Sequence, residues 1–231
     1  MITLSNLIEE ISDLPANWHK SGSVTINILR AILNHASNLK SIKKTAETGS
    51  GKTTLLFSHL SQNHIVFTLD NWNSLSAVKT SNLFKPENVT LVEGPTQKTL
   101  SDYIFTEKFD IVLLDGPHGY PFPDLEYFYF YPHIEVGGLL LIDDIEIPTI
   151  KRMFEILKVS SMWELSEVVD GLAIFKRTNA PTINPYSDSW WLQGYNKALA
   201  NRFERREKIK KWIPESLRSI IPNFIKKFFL F

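Results

Sequence analysis

Residues 47–54 read Glu47-Thr48-Gly49-Ser50-Gly51-Lys52-Thr53-Thr54. Two chemistries suit that string. A phosphate-binding P-loop ends in Gly-Lys-Thr, but it also needs a glycine five residues before the glycine of the Gly-Lys pair. Counting back from Gly51 reaches Ala46, so the tight turn that lets backbone N–H groups wrap a phosphate has no glycine to make it. The second chemistry is the first loop of a nucleoside-binding α/β sheet. It asks for an acidic residue at the end of a strand and small residues where the chain passes a ligand, and Glu47, Gly49 and Gly51 meet that need.

Further carboxylates follow at regular intervals. The apolar runs 65–69, 89–92, 111–114 and 139–142 close on Asp70, Glu93, Asp115 and the pair Asp143-Asp144. Short continuous apolar runs separated by helix-length segments indicate a parallel sheet covered on both faces. Ligands of such sheets bind beyond the carboxyl ends of the strands, so five acidic strand ends, counting Glu47, converge on one edge. Asp115, Asp143 and Asp144 crowd together there and repel one another unless protons or a cation intervene. Mg²⁺ takes oxygen ligands and keeps several waters, and in this place it would orient an acceptor hydroxyl and lower its pKa. His118 offers an imidazole that takes a proton near neutral pH, which a hydroxyl acceptor requires.

A parallel set of five strands finished by an antiparallel hairpin resembles the class I S-adenosylmethionine-dependent methyltransferases, over roughly residues 40–178. The string Glu47-Thr48-Gly49-Ser50-Gly51 resembles that family's first motif, where the chain passes the methionine part of the cofactor. Asp70, followed by Asn71, stands where family members place an acid on the ribose hydroxyls, and Glu93-Gly94 falls near the adenine position. Asp115-Gly116-Pro117-His118-Gly119-Tyr120 resembles the Asp-Gly-x-His-x-Tyr motif of a small-molecule branch. Gly137-Gly138 and the run to Asp144 resemble that branch's fifth strand, and metal-dependent O-methyltransferases place acids at corresponding strand ends. The resemblance implies S-adenosylmethionine as cofactor, a small-molecule or sugar hydroxyl as acceptor, and Asp115 and His118 as catalytic residues. It implies cofactor contacts from residues 47–51, Asp70, Asn71, Glu93, Gly94 and Asp115, with Mg²⁺ held by Asp115, Asp143 and Asp144 as an option. The rivals are a P-loop NTPase or kinase using Lys52 and Thr53, and a non-catalytic nucleoside-binding or interaction module. Each site residue also has a plainer role: Glu47 as a helix-start carboxylate, Asp70 as a turn residue, Asp143 as a cap.

The elements that must position these groups read as follows. Helices are expected over 6–11, 24–36 and 53–60, and a strand over 42–46. Two alternating runs, 163–168 and 172–176, meet at Asp170-Gly171, a strong hairpin signal. The aromatic run 127–131 points in all directions on a helix and reads as core or interface. The expected fold is therefore α/β and Rossmann-like, a doubly wound, mostly parallel seven-stranded sheet ending in an antiparallel hairpin, plus a C-terminal helical tail. It divides into an N-terminal helical segment (1–40), the cofactor-binding domain (41–178) and a linker with a basic tail (179–231).

At 231 residues, 43% apolar and 22% charged, the chain has the composition of a soluble globular protein with ample core. It has no cysteine, which removes disulfides, thiolate metal sites and cysteine nucleophiles. The acidic start is not that of a signal peptide, and no apolar run reaches membrane-span length, so the expected location is cytoplasmic. The net charge of zero hides an asymmetry: residues 202–231 carry nine Lys/Arg and three Asp/Glu, a net +6, against −6 for the remainder. From Lys210 to the end an apolar stripe (Leu217, Ile220, Ile221, Phe224, Ile225, Phe228, Phe229) runs beside Arg218, Lys226 and Lys227. That pattern reads as a helix packed on its own domain or on a second copy, or as a basic helix lying peripherally on an anionic membrane. No nucleic-acid reading motif accompanies it.

Overall fold

The structure, a computed structural model, describes residues 3–15, 17–19 and 24–212. Helices α1 (Leu4–Ser12) and α2 (Ile26–Ser37) precede a regular alternation. It runs β1 (Lys44–Thr48), α3 (Lys52–Leu60), β2 (Asn63–Thr68), α4 (Ser74–Thr80), β3 (Val89–Glu93), α5 (Thr96–Asp102), β4 (Phe109–Leu114), α6 (Phe122–Phe130), β5 (Ile134–Ile142) and α7 (Pro148–Lys158). The hairpin β6 (Trp163–Val169) and β7 (Leu172–Arg177) follows, and α8 (Lys197–Trp212) ends the described chain. Among the described residues no helix is long and apolar enough to cross a membrane.

The seven strands form one sheet in the order β3-β2-β1-β4-β5-β7-β6. The first five are parallel and β7 runs antiparallel to both β5 and β6. Strand order reverses between β1 and β4, so the loops leaving those two strands diverge and open a crevice at the carboxyl edge. Side chains alternate between the faces. Ile111 and Leu113 pack with Leu7 of α1, Ile28 of α2 and Leu55 of α3. Val112 and Leu114 pack on the other side with Leu100 of α5, Phe130 of α6 and Met153 of α7. Residues 3–15 and 24–37 thus complete one face of the sheet. The aromatic run is largely core: Phe130 is fully buried among Phe67, Phe105 and Phe109, and the Tyr127 hydroxyl accepts from Trp163 Nε1 at 2.9 Å.

The hairpin forms where Asp170-Gly171 was expected to turn it. Both residues have positive φ, +46° and +90°, the geometry whose twist matches the flanking strands. The turn is also tied to the start of α2, where Thr25 Oγ1 and Asn27 Nδ2 donate to Asp170 Oδ2 at 2.6 and 3.0 Å.

Strand β1 differs from the expected 42–46. It starts at Lys44 and runs through Glu47 to Thr48, buried at every position although four of its five residues are polar. Each polar group meets a partner. Lys44 Nζ donates to Glu107 at 2.8 Å, Thr45 Oγ1 lies 2.8 Å from His64 Nδ1, and Thr48 Oγ1 donates to Glu126 at 2.8 Å. A buried strand satisfied through side-chain hydrogen bonds leaves no apolar run to read.

Of the tail, α8 is helical to Trp212 and most of its residues are exposed. The stripe from Leu217 to Phe229 lies outside the described residues.

Candidate functional site

A cleft of 570 Å³ lies at the point where strand order reverses. Its floor and walls come from the loop after β1 (Gly49 to Thr53), the ends of β2 (Thr68, Leu69, Trp72) and β3 (Gly94 to Gln97), and the ends of β4 (Asp115 to His118) and β5 (Asp143, Asp144). His19 and Val24 close it from the N-terminal segment. Its volume suits a cofactor-sized ligand.

The glycine loop is built by close approach. Gly49 has φ +85°, and its N–H donates to the Phe67 carbonyl at 2.9 Å. A Cβ at this position would lie 2.3 Å from the Asp115 carbonyl oxygen, so only glycine lets the β1 loop pass the β4 loop. Ser50 Oγ sits 3.1 Å from both Thr68 Oγ1 and Ser74 Oγ, which ties the loop to the end of β2 and the start of α4.

Glu47 does not face the cleft. Its carboxylate, 1% exposed, accepts from the hydroxyls of Thr53 (2.7 Å) and Thr54, with His64 Nε2 at 3.2 Å. It locks the first turn of α3 from beneath, as a structural residue under the loop. The same contact counts against the P-loop reading, because the Thr53 hydroxyl that would hold Mg²⁺ donates to Glu47. Lys52 lines the cleft at 8% exposure, and burial lowers its pKa.

Thr48, Asp70 and Glu93 likewise do not line the cleft. Thr48 is buried behind the cleft, its Oγ1 accepting from the Asp115 N–H at 3.0 Å while donating to Glu126. Asp70 turns its carboxylate onto Ser76, receiving its N–H at 3.2 Å and its hydroxyl, so it caps the following helix and is held below the ordinary carboxylate pKa by Ser76. Glu93 points to solvent and pairs with Lys79 at 2.6 Å. The side chain of Asn71 lies outside the described residues. Gly49, Ser50, Gly51, Gly94 and Asp115 do line the cleft. Trp72 was not foreseen. It sits at the mouth, 67% exposed, in two consecutive left-handed residues with Asn73 (φ +62° and +61°). Such conformations cost energy in residues other than glycine and gather at ligand sites.

Asp115, His118, Asp143 and Asp144 share the cleft as their strand ends required. His118 Nε2 lies 3.1 Å from Asp144 Oδ2 and 3.8 Å from Asp115 Oδ1. Asp144 is left-handed (φ +56°), which turns its side chain away from the strand direction, and its N–H donates to Asp143 Oδ1 at 2.9 Å. Among the described residues the group that could share one cation is Asp115, His118 and Asp144, whose ligand atoms lie within 4.8 Å of one another. That differs from the expected set, with His118 standing in for Asp143. The neighbouring Asp115 carboxylate, followed by Asp144, raises the His118 pKa. Burial, reinforced by Asp143, pushes the Asp115 carboxyl up to about 7. Burial likewise raises Asp143.

Glu126 of α6 is a site-supporting group with no motif to announce it. It is 2% exposed and its carboxylate occupies the space a Cβ at Gly116 would need, with Oε1 lacking a hydrogen-bond partner among the described residues. Burial pushes its pKa up to about 7. An acid raised in this way binds its proton more tightly when folded, so its ionisation removes stability as pH climbs from the unfolded value near 4.5 through 7. Glu126→Gln is expected to abolish that share. The variant should gain about 1–3 kcal/mol on wild type between pH 5 and pH 8, read by denaturant unfolding at both pH values. Parallel pH profiles of the two proteins would refute the assignment.

Comparison with known proteins agrees with this architecture. Residues 46–145 match the sequence profile of a family described as a methyltransferase domain, a span that runs from β1 to just beyond β5 and holds the glycine loop and the His118 cluster. No curated protein matches the chain by sequence. Among solved structures, a Klebsiella pneumoniae protein assigned as an O-methyltransferase superposes with a TM-score of 0.60 at 14% identity, over 74% of this chain and 90% of its own. The O-methyltransferase TomG of Streptomyces achromogenes, involved in tomaymycin synthesis and solved with S-adenosylmethionine, gives 0.55 at 16% identity, over 75% and 90%. MycE of the mycinamycin biosynthetic pathway, solved with Mg, S-adenosylhomocysteine and mycinamycin VI, gives 0.51 at 14% identity, over 78% of this chain and 56% of MycE. At such identities the likeness is one of fold. The chain shares the seven-stranded, Rossmann-like sheet of these structures, and its residues 46–145 are similar to a methyltransferase domain.

Proposed function

We propose that this protein transfers a methyl group from S-adenosylmethionine to a hydroxyl oxygen of a small molecule, with a sugar or other natural-product-like compound as acceptor. The observation that carries the proposal is the single cleft lined by both the glycine loop Gly49–Gly51 and His118 with its two aspartates, inside the span that matches a methyltransferase domain. The glycine loop passes the methionine part of the cofactor, and Trp72 and Leu69 offer apolar surface to its nucleoside. In the reaction the sulfonium carbon–sulfur bond breaks as the oxygen–carbon bond forms in line. The acceptor proton passes to the neutral imidazole of His118, whose Nε2–H faces Asp144, and Asp144 and Asp115 stabilise the imidazolium. The protein contributes chiefly alignment and proton transfer.

A second reading gives Asp115, His118 and Asp144 a divalent cation. The spacing of their ligand atoms favours it, and Mg would supply polarisation of the acceptor hydroxyl. The binding of Mg in the MycE structure is in keeping with it.

The test is differential stabilisation. S-adenosylhomocysteine at about 100 times its Kd should stabilise the fold by about 2.7 kcal/mol, and ATP with Mg²⁺ should leave Tm unchanged. Stabilisation by ATP alone would return the site to nucleotide chemistry. Binding of S-adenosylhomocysteine without methyl transfer to any hydroxyl in an acceptor panel would leave a cofactor-binding module in place of an enzyme.

A further inference from the structure

We propose that the C-terminal arm, residues 186–212, is a docking surface for an anionic lipid membrane. Exposed large apolar side chains gather in this arm: Tyr186, Trp191, Leu192, Tyr195, Leu199 and Phe203 are 92%, 51%, 60%, 64%, 49% and 47% exposed. Single exposed apolar residues are ordinary, but six of them between Tyr186 and Phe203 are the material of an interaction site. Trp190 ties part of the group together. The Trp190 ring meets Trp191 and Phe203 at 6.2 and 5.8 Å, and Asn196 Nδ2 donates to the Trp190 carbonyl at 3.1 Å.

The arm is also fastened to the domain. Gly194 lies so close to Val159 that an added Cβ would be 1.6 Å from the Val159 carbonyl oxygen. Upstream, Arg177 donates to the Ala180 carbonyl at 2.8 Å and to Thr182 at 2.9 Å, and the Tyr131 hydroxyl donates to the Ile183 carbonyl at 2.8 Å. A surface held in place this way presents its side chains without first having to be ordered.

Charge selects the partner. Helix α8 carries seven Lys/Arg and two Glu, and Arg202, Arg205 and Lys208 are exposed. A second copy of the arm would bring like charge against like, which opposes self-association through this face. Lipid headgroups of negative charge complement it, and Trp and Tyr rings beside basic residues are the composition that partitions into a headgroup layer. The sequence continues in the same chemistry: residues 213–231 hold twelve of the types Ile, Leu, Phe and Pro, with Arg218, Lys226 and Lys227 against Glu215 alone.

The test uses the full chain with vesicles of phosphatidylcholine, with and without phosphatidylglycerol. We expect co-sedimentation with the anionic vesicles only, weakening as salt is raised. The charge-reversed chain R202E/R205E/K208E should lose at least about tenfold in partition coefficient, and Trp191→Ser with Leu192→Ser should lose binding while unfolding at an unchanged temperature. No binding to anionic vesicles, equal binding to neutral ones, or unchanged partition of the charge-reversed chain would overturn the proposal. So would a solution dimer dissolved by Trp191→Ser with Leu192→Ser, or RNA binding stronger than vesicle binding. None of these readouts depends on methyl transfer, so the fate of this surface is decided separately from that of the cleft.

Discussion

Gly49→Ala is expected to abolish cofactor binding and to lower unfolding free energy by about 3–5 kcal/mol. Two costs add at this position. The residue is left-handed at φ +85°, which charges an L-residue about 1–2 kcal/mol. The new Cβ would also stand 2.3 Å from the Asp115 carbonyl oxygen. That oxygen cannot simply withdraw, because the Asp115 N–H is held by Thr48 Oγ1 and the strands behind both loops are paired, Thr48 opposite Leu114. Relief of the clash must therefore move the β1 loop or the β4 loop, and each forms a wall of the cleft. Gly171→Ala supplies the control. Its φ is +90°, yet nothing lies within 4 Å of the added methyl, so it carries the conformational cost alone. Denaturant unfolding of the two variants, with S-adenosylhomocysteine titration of each, measures the difference. Equal stabilities would mean that the loops separate freely and that the glycine is not required by close approach.

The frame of the molecule was legible because buried parallel strands announce themselves. Runs such as 111–114 and 139–142 are apolar at every position, and each ends at the acid where the sheet's carboxyl edge lies. The hairpin was legible for a different reason: Asp170-Gly171 is chemistry specific to one turn. Strand β1 was harder, since Lys44, Thr45, Glu47 and Thr48 are buried through partners as distant as Glu107, His64 and Glu126. Those partners are set by tertiary structure, and nothing local encodes them. The same gap explains why some expected residues do not line the cleft. Glu47 and Asp70 stand where acids were expected, but an acid's position along a strand does not say which way its carboxylate turns. Thr53, Thr54 and His64 claim one, and Ser76 claims the other. The pattern of threonines after Gly-Lys, which imitated a phosphate loop, is the donor set for Glu47. Trp72 and Glu126 carried no motif. A tryptophan just beyond an acidic strand end, and a glutamate four residues before the buried Phe130 on a helix rich in aromatic residues, were the signals present.

His118→Ala is expected to lower turnover by about 10²–10⁴-fold while leaving the affinity for S-adenosylhomocysteine nearly unchanged, the pattern of a lost general base. The imidazole works as a base only when neutral. Asp115 and Asp144 raise its pKa, so kcat/KM of the free enzyme should climb with pH through a midpoint above the ordinary histidine value of about 6.5 and then level off. The His118→Ala profile should lack that limb. Asp144→Asn makes the assignment stricter. It removes one of the charges that favour the imidazolium, so the limb should move to lower pH while activity at high pH is partly kept. A structural role for Asp144 would reduce activity at every pH without moving the midpoint. A metal-holding role would give a third outcome: loss of activity on adding a chelator, S-adenosylhomocysteine binding intact, and an Asp144→Asn defect that rises with falling Mg²⁺ concentration. The three outcomes differ in pH dependence and in metal dependence, so one set of rate profiles on wild type, His118→Ala and Asp144→Asn decides how the proton leaves the acceptor.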